Sequence, residues 1–213
     1  MSVRKIAEMR EASSARRSPA QARSRERMER ILSVATDLIA RSGSDALKMS
    51  DVAAGAEISI GSLYQYFPDK AAIIRMLAER NVATSRQCIA EALEKVRDVE
   101  ELKRAFASLV DQYYGMFLAS PVMRDIIFGM QADKDLMTIE LAESRASGAL
   151  LTEVMTRVHA KLDASKVAAS SFLIWQLGEH VMRLAVSVDR AEGDKLVEAY
   201  KRMMLREIAQ PGG

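Results

Sequence analysis

The sequence predicts an all-α protein, and three observations carry that prediction. Prolines are few, and Pro19, Pro68, Pro121 and Pro211 fall at candidate boundaries. No stretch sustains period-two alternation, and no Asn-Gly or Asp-Gly pair marks a hairpin. Apolar residues instead recur at spacings of three and four, which is the signature of one helix face. The 213 residues are 49% apolar and 28% charged, enough for a real core and too apolar for a disordered chain. No window approaches the roughly 18 consecutive apolar residues of a membrane span. The charged N-terminus lacks the apolar stretch of a secretory signal, and the single cysteine, Cys88, excludes an internal disulfide framework. A reduced, cytoplasmic setting is the expectation, with no membrane partner.

Residues 1–22 are rich in Arg, Ser and Ala without an apolar face and read as a flexible basic arm. Residues 1–30 hold nine Arg and Lys against four Glu, so a basic head precedes a mildly acidic body. Such a head suits a polyanion, and a solvated tail is the plain alternative. From about Arg23, Met28, Ile31, Leu32, Ala35, Leu38 and Ile39 form one apolar stripe, which Gly43 ends. Two short helical segments follow, Met49 to Ala56 and Ile60 to Phe67, with Glu57-Ile58-Ser59 between them. Helices this short are marginal in water, so they need the preceding helix to pack against.

Asp69 reads as the cap of a long helix reaching about Val96, whose stripe begins with Ile73, Ile74 and Leu77. Asp98, with Glu101 three residues on, starts another whose face carries Leu102, Phe106, Leu109, Val110, Tyr113 and Phe117. Ser120-Pro121 opens a short helix to about Gln131. Further helices are expected from about Lys134 to Leu162, from the Asp163 cap to about Val188, and from an Asp194 cap to about Gln210. The 164–188 segment is apolar in nearly every direction and must be covered on more than one side. The last helix is amphipathic through Leu196, Val197, Tyr200, Met203, Met204 and Ile208. A second copy of the chain would complete the cover as a four-helix bundle, so a homodimer is expected.

The most informative stretch runs from Asp51 to Lys70. Read physically it is helix, turn, helix: Val52, Ala53 and Ala56 face inward, Ile58 plugs the turn, and Leu63 and Phe67 anchor the second helix. Ile60, Gly61, Ser62, Tyr64, Gln65 and Tyr66 are left to face outward or sideways. Tyrosine hydrogen-bonds phosphate and packs on sugar or a thymine methyl, and glutamine reads a base edge. Gly61 permits close approach to a backbone, and free N–H groups at helix starts favour phosphate.

The run Ser62-Leu63-Tyr64-Gln65-Tyr66-Phe67-Pro68-Asp69-Lys70, with Asp51-Val52-Ala53 upstream and Ala40-Arg41-Ser42-Gly43 before it, resembles the DNA-binding head of the TetR/AcrR family of bacterial regulators. The resemblance implies a helix-turn-helix DNA-binding domain at 23–68 whose third helix enters the major groove. A helical ligand-binding and dimerisation domain at 69–213 would follow. It implies a dimeric regulator, most often a repressor of a palindromic double-stranded operator, released by a small molecule; the Met-rich apolar helix faces make a small apolar effector the expectation. Carried over by position, Ser59, Gly61, Ser62, Tyr64 and Tyr66 are DNA contacts and Lys70 is a phosphate contact; Gln65 joins them as a candidate DNA contact on its side-chain chemistry alone. Three positions depart from the family pattern. Glu57 stands where glycine is usual, Ile60 where a basic residue is common, and Lys48, a candidate phosphate contact, where threonine often begins the second helix.

Phe106, Tyr113, Phe117, Phe128, Trp175 and Gln176 are candidate lining for the effector cavity, with ordinary core as their alternative. His159 and His180 lack metal-ligand spacing. No Gly-x-Ser-x-Gly, Walker or dinucleotide loop occurs, so neither an enzyme nor a cofactor is expected. Two other readings of the body stay open: a surface that binds a protein, making the chain a DNA-binding adaptor, or an all-helical enzyme acting on an apolar substrate.

Overall fold

Helix α1, Val3–Ser42, carries the first apolar stripe, and Ile31, Leu32, Ala35 and Ile39 on it are buried. The computed structural model describes the backbone of residues 3–130, 134–160 and 162–211, and the side chains of 21–127, 134–160 and 162–211. The arm expected over residues 1–22 has its backbone from Val3 onward in α1; its side chains through residue 20 lie outside the described residues. Gly43 follows α1 with φ 81°, and its N–H bonds the Ile39 carbonyl at 2.9 Å. A residue without a Cβ takes that left-handed conformation at no steric cost, which is why the helix stops there.

Helices α2, Met49–Gly55, and α3, Ile60–Tyr66, follow, α2 packing on α1 and α3 on α2. Val52, Ala53 and Ala56 of the first are buried, as are Leu63 and Phe67 of the second. Between them Glu57 adopts φ 55°. The turn therefore keeps the left-handed geometry despite the departure from glycine, and the glutamate carries the strain of a Cβ crowded against the following carbonyl. Helix α4, Lys70–Glu94, begins at Asp69, whose Oδ1 accepts the Ala72 N–H at 2.8 Å. The chain divides into two units between Ile74 and Arg75, inside α4.

The second unit is built from the rest of α4 and five further helices: α5, Val99–Ala119; α6, Pro121–Met130; α7, Lys134–Val158; α8, Ala164–Ser187; and α9, Arg190–Ala209. No strand occurs among the described residues. Asp98 caps α5 by accepting the Glu101 N–H at 2.7 Å, and Glu101 reaches back to the Arg97 N–H at 2.9 Å. Ser120 accepts the Met123 N–H at 3.2 Å, and Asp163 the Ser165 N–H at 2.9 Å. The cap expected at Asp194 is instead Asp189, whose side chain accepts the Ala191 and Glu192 N–H groups. Asp194 lies one turn inside α9 and pairs with Arg190 at 2.7 Å. The earlier acid wins because it meets the exposed N–H groups of the first turn directly.

Helices α7 and α8 lie close. A Cβ on Gly148 would sit 2.9 Å from the Phe172 Cα, and Ser144, Ser147 and Ser171 fill the buried seam with small side chains. Helix α5 packs on α7, α8 and α9 with Leu102, Phe106, Leu109, Val110, Tyr114 and Phe117 buried. On α8, Val167, Ile174, Met182 and Ala185 are buried, whereas Leu173, Leu177 and Leu184 are half exposed. Met203, expected on the buried face of α9, is the most exposed large apolar residue among the described residues of the second unit.

Replacing Glu57 with glycine relieves the left-handed strain at a smaller entropic cost. Glu57→Gly is expected to raise the stability of the first unit by about 0.5–1 kcal/mol in urea unfolding, and Glu57→Ala is not.

Candidate functional site

Seven residues make α3 barely two turns long, so its orientation rests on its anchors. Leu63 and Phe67 are one helical turn apart and both sealed. At about 100° per residue the direction opposite that pair falls on Gln65, flanked by Gly61 and Ser62, with Tyr64 and Tyr66 to either side. The observed exposures follow that geometry. Gln65 and Gly61 are exposed, Tyr64 is 51% exposed, and Ser62 and Tyr66 are half-buried. Space beside Gly61 is open, since an added Cβ would meet nothing within 4 Å. Ile60, 44% exposed, adds an apolar rim where a basic residue is common in the family that this stretch resembles.

Ser59 is exposed but occupied. Its side chain caps α3 by accepting the Ser62 N–H at 3.1 Å, so one of the free donors at that helix start is already used. Lys70 is exposed, and its Nζ donates to the Asp45 carbonyl at 2.9 Å. The ammonium thus ties the start of α4 to the loop between α1 and α2 and keeps two further protons for a phosphate. Lys48 precedes α2 with extended backbone and no side-chain cap, leaving its exposed ammonium without a role in the helix start. All eight candidates, from Lys48 to Lys70, belong to the first unit.

The second unit contains a cavity of about 290 Å³ that is partly open to solvent. Helix α4 contributes Asn81, Val82, Ser85 and Cys88; α5 contributes Tyr113 and Met116; α6 contributes Met123 and Ile126. Glu140 and Glu143 come from α7, Trp175 and Glu179 from α8, and Tyr200 from α9. Of the six residues expected to line it, Tyr113 and Trp175 do. Phe106 and Phe117 do not: both are fully buried one layer behind. Phe106 meets the Trp175 ring edge-on at 5.8 Å, and Phe117 meets Tyr113 at 5.0 Å. Gln176 is turned to α7, where its amide donates to Glu140 at 3.2 Å. The side chain of Phe128 lies outside the described residues.

The carboxylates were not legible from helical spacing, and they dominate the cavity's electrostatics. Glu140 meets the Arg183 guanidinium at 3.4 Å, and Glu143 meets Arg86 at 3.6 Å. Glu179 has no such partner. The Tyr113 hydroxyl donates to both of its oxygens, at 2.8 and 2.9 Å. Burial pushes the Glu179 carboxyl up to about 7; the Tyr113 hydrogen bond opposes the rise and the nearby Glu140 adds to it. Burial, then the Glu179 charge, raises Tyr113 in turn. Burial also raises Glu143, against the pull of Arg86.

The histidines are accounted for by their neighbours. His159 Nε2 bonds the Ile208 carbonyl at 2.8 Å, and His180 Nδ1 faces the Gln176 carbonyl at 2.9 Å. Among the described residues no group of His, Cys, Asp and Glu could hold a metal ion, and no helix is long and apolar enough to cross a membrane.

Glu179 gives a pH prediction with a definite sign. Its folded value lies above its unfolded one, so between about pH 4.5 and 7 the folded state holds the extra proton and its stability falls as pH rises. Glu179→Gln lacks that proton and is expected to gain on wild type as urea unfolding is moved from pH 5 to pH 8.

Comparison with known proteins fits this arrangement. The model described as "Bacterial regulatory proteins, tetR family" matches residues 31–77, and "Tetracyclin repressor-like, C-terminal domain" matches 100–211, more than half of the chain. The HTH-type transcriptional repressor KstR of Mycobacterium tuberculosis is 34% identical over 73 residues, 32% of this chain. That match spans a third of the relative's own length, 33%. A TetR-family transcriptional regulator from Streptomyces coelicolor superposes with a TM-score of 0.67 at 22% identity, over 89% of this chain and 99% of that one. FadR from Bacillus subtilis, in complex with stearoyl-CoA, superposes with a TM-score of 0.59 at 17% identity, over 85% and 97%. These two structures share the fold, and the domain matches carry the family assignment. The chain belongs to the TetR family of bacterial transcriptional regulators.

Proposed function

We propose that this chain is a homodimeric repressor that holds a palindromic operator and leaves it when a small molecule with an apolar body fills the cavity of the second unit. The observation that carries the DNA-binding part is the outward α3 face: the exposed Gly61, Tyr64 and Gln65, with the half-buried Ser62 and Tyr66 beside them, opposite the sealed Leu63 and Phe67. A face of tyrosine, glutamine and bare backbone offers contacts to base edges, sugars and phosphates of a major groove. Lys48 and Lys70 add phosphate contacts, and the exposed Arg23, Arg25 and Arg27 add salt-dependent attraction. Two such heads would read half-sites roughly 34–36 Å apart, one turn of the duplex.

The dimer rests on α8. Leu173, Leu177 and Leu184 follow one another at four and seven residues, so they share one face, and each is about half exposed. Leucines in such a row are costly to leave in water, and a second copy of the same helix covers them in a two-fold bundle. Release follows from α4, which enters the second unit from Lys70 and lines the cavity with Asn81, Val82, Ser85 and Cys88. A ligand that binds better to one placement of α4 draws the population to it. The cavity favours this reading over a protein-binding adaptor, whose body needs no internal space.

Operator binding is expected to fall at least about tenfold in Tyr64→Ala and in Tyr66→Ala, with an unchanged circular dichroism melt. Gel shift against an operator selected from genomic fragments measures it; wild-type affinity in both variants removes the α3 assignment. Light scattering is expected to give twice the 23.6 kDa chain mass for wild type. A Leu177→Glu, Leu184→Glu double variant is expected to run as a folded monomer that no longer holds the operator.

A further inference from the structure

The cavity has an apolar body and one acidic wall. Val82, Ile89, Leu109, Val110, Met116 and Ile126 supply apolar surface. Three carboxyl groups, Glu140, Glu143 and Glu179, line the same space, and no Lys, Arg or His does so among the described residues. Two of the three are balanced from behind the lining, Glu140 by Arg183 and Glu143 by Arg86. Glu179 is not: no cation lies within ion-pair distance of it among the described residues, and its two oxygens share a single hydroxyl donor. A carboxylate accepts about four hydrogen bonds, so most of its capacity is unfilled. Glu179 is half-buried on that wall, and a carboxylate there gives up part of its hydration with no ion pair in return, a cost that an evenly apolar lining would avoid.

We infer that the cavity takes a monocation: a molecule with an apolar body and one protonated amine, seated with its N–H groups on the Glu179 carboxylate. The inference rests on the reading of this cavity as the effector site and deepens it by naming the ligand's charge. The amine supplies both the charge and the donors that Glu179 lacks, while the Tyr113 and Trp175 rings in the same lining favour a cation over a neutral group of equal size. An anionic head would meet three carboxyl groups and no lining cation.

The test uses three probes with one body: 3-phenylpropylamine, 3-phenylpropan-1-ol and 3-phenylpropanoate. The chain has a single tryptophan, Trp175, and it lines the cavity, so its fluorescence reports occupancy. At pH 8 the amine is expected to bind at least about tenfold more tightly than the alcohol, with the propanoate weakest. In Glu179→Gln, which keeps an oxygen for the Tyr113 hydroxyl, that ratio is expected to fall below about threefold.

Wild type supplies a second measurement that does not depend on the variant folding. The groups facing Glu179 are Tyr113 of α5, Glu140 and Glu143 of α7, Arg183 of α8 and Tyr200 of α9; from α4 the Cys88 thiol lines the same space. The Glu179 carboxyl, held up at about 7, gains a proton between pH 8 and pH 5.5, and the amine keeps its charge throughout. The amine-to-alcohol ratio is therefore expected to shrink several-fold between pH 8 and pH 5.5. Equal affinities for the three probes, or a ratio unchanged by both Glu179→Gln and acid, overturn the inference and leave the cavity reading standing. No response of Trp175 to any probe up to about 10 mM overturns both. The expected preference, without release of operator DNA, upholds the inference and overturns the effector reading.

Discussion

A helix of seven residues such as α3 has no stability of its own. Nucleating a helix fixes several residues before the hydrogen bonds repay it, and two turns offer few such bonds. Helix α3 exists because Leu63 and Phe67 are sealed against neighbours that themselves depend on the Ile31, Leu32, Ala35 and Ile39 stripe of α1. That burial fixes rotation about the helix axis, and rotation decides which side chains reach outward. Tyr64 and Gln65 are exposed for the same reason that Leu63 is not. The turn before α3 serves the same constraint. Glu57 accepts a strained left-handed backbone, and Ser59 satisfies a donor at the helix start. Strain of this kind persists only where its surroundings over-determine the geometry.

The second unit shows the opposite economy. Helices α7 and α8 approach through glycine and serine, and the aromatic rings of Phe106 and Phe117 fill the layer behind Trp175 and Tyr113. Against that dense packing the cavity stands out as space left open. On its wall sits Glu179, with no ion-pair partner among the described residues. Both features cost stability, since voids forgo dispersion contacts and buried carboxylates forgo hydration. Function is the usual reason for a fold to keep such costs.

Much of the fold was legible as local chemistry. Asp69, Asp98, Ser120 and Asp163 each cap the helix that the sequence assigns to them, because a side-chain oxygen two or three residues before a free N–H needs no distant partner. The error at α9 has the same origin. Asp189 and Asp194 are both competent caps, and the choice falls to the one that lets the first turn of α9 form earlier in the chain. On α3, periodicity separates the anchors from the exposed face. It does not say that Lys70 is engaged within the head by the Asp45 carbonyl, because the two are 25 residues apart.

The cavity marks the limit more sharply. Aromatic residues on apolar helix faces are equally good as lining and as core, and Phe106 and Phe117 turned out to be core while Tyr113 and Trp175 line the space. Glutamates read as surface by default, yet Glu140, Glu143 and Glu179 converge from α7 and α8 on one interior. The order of amino acids alone set helix type, helix ends, the helix-turn-helix and its inward anchors, since each is governed by neighbours within about four residues. Only the packed chain decided which carboxyl lacks a cation and where space was left, because charge balance and voids are properties of side chains brought together from distant helices.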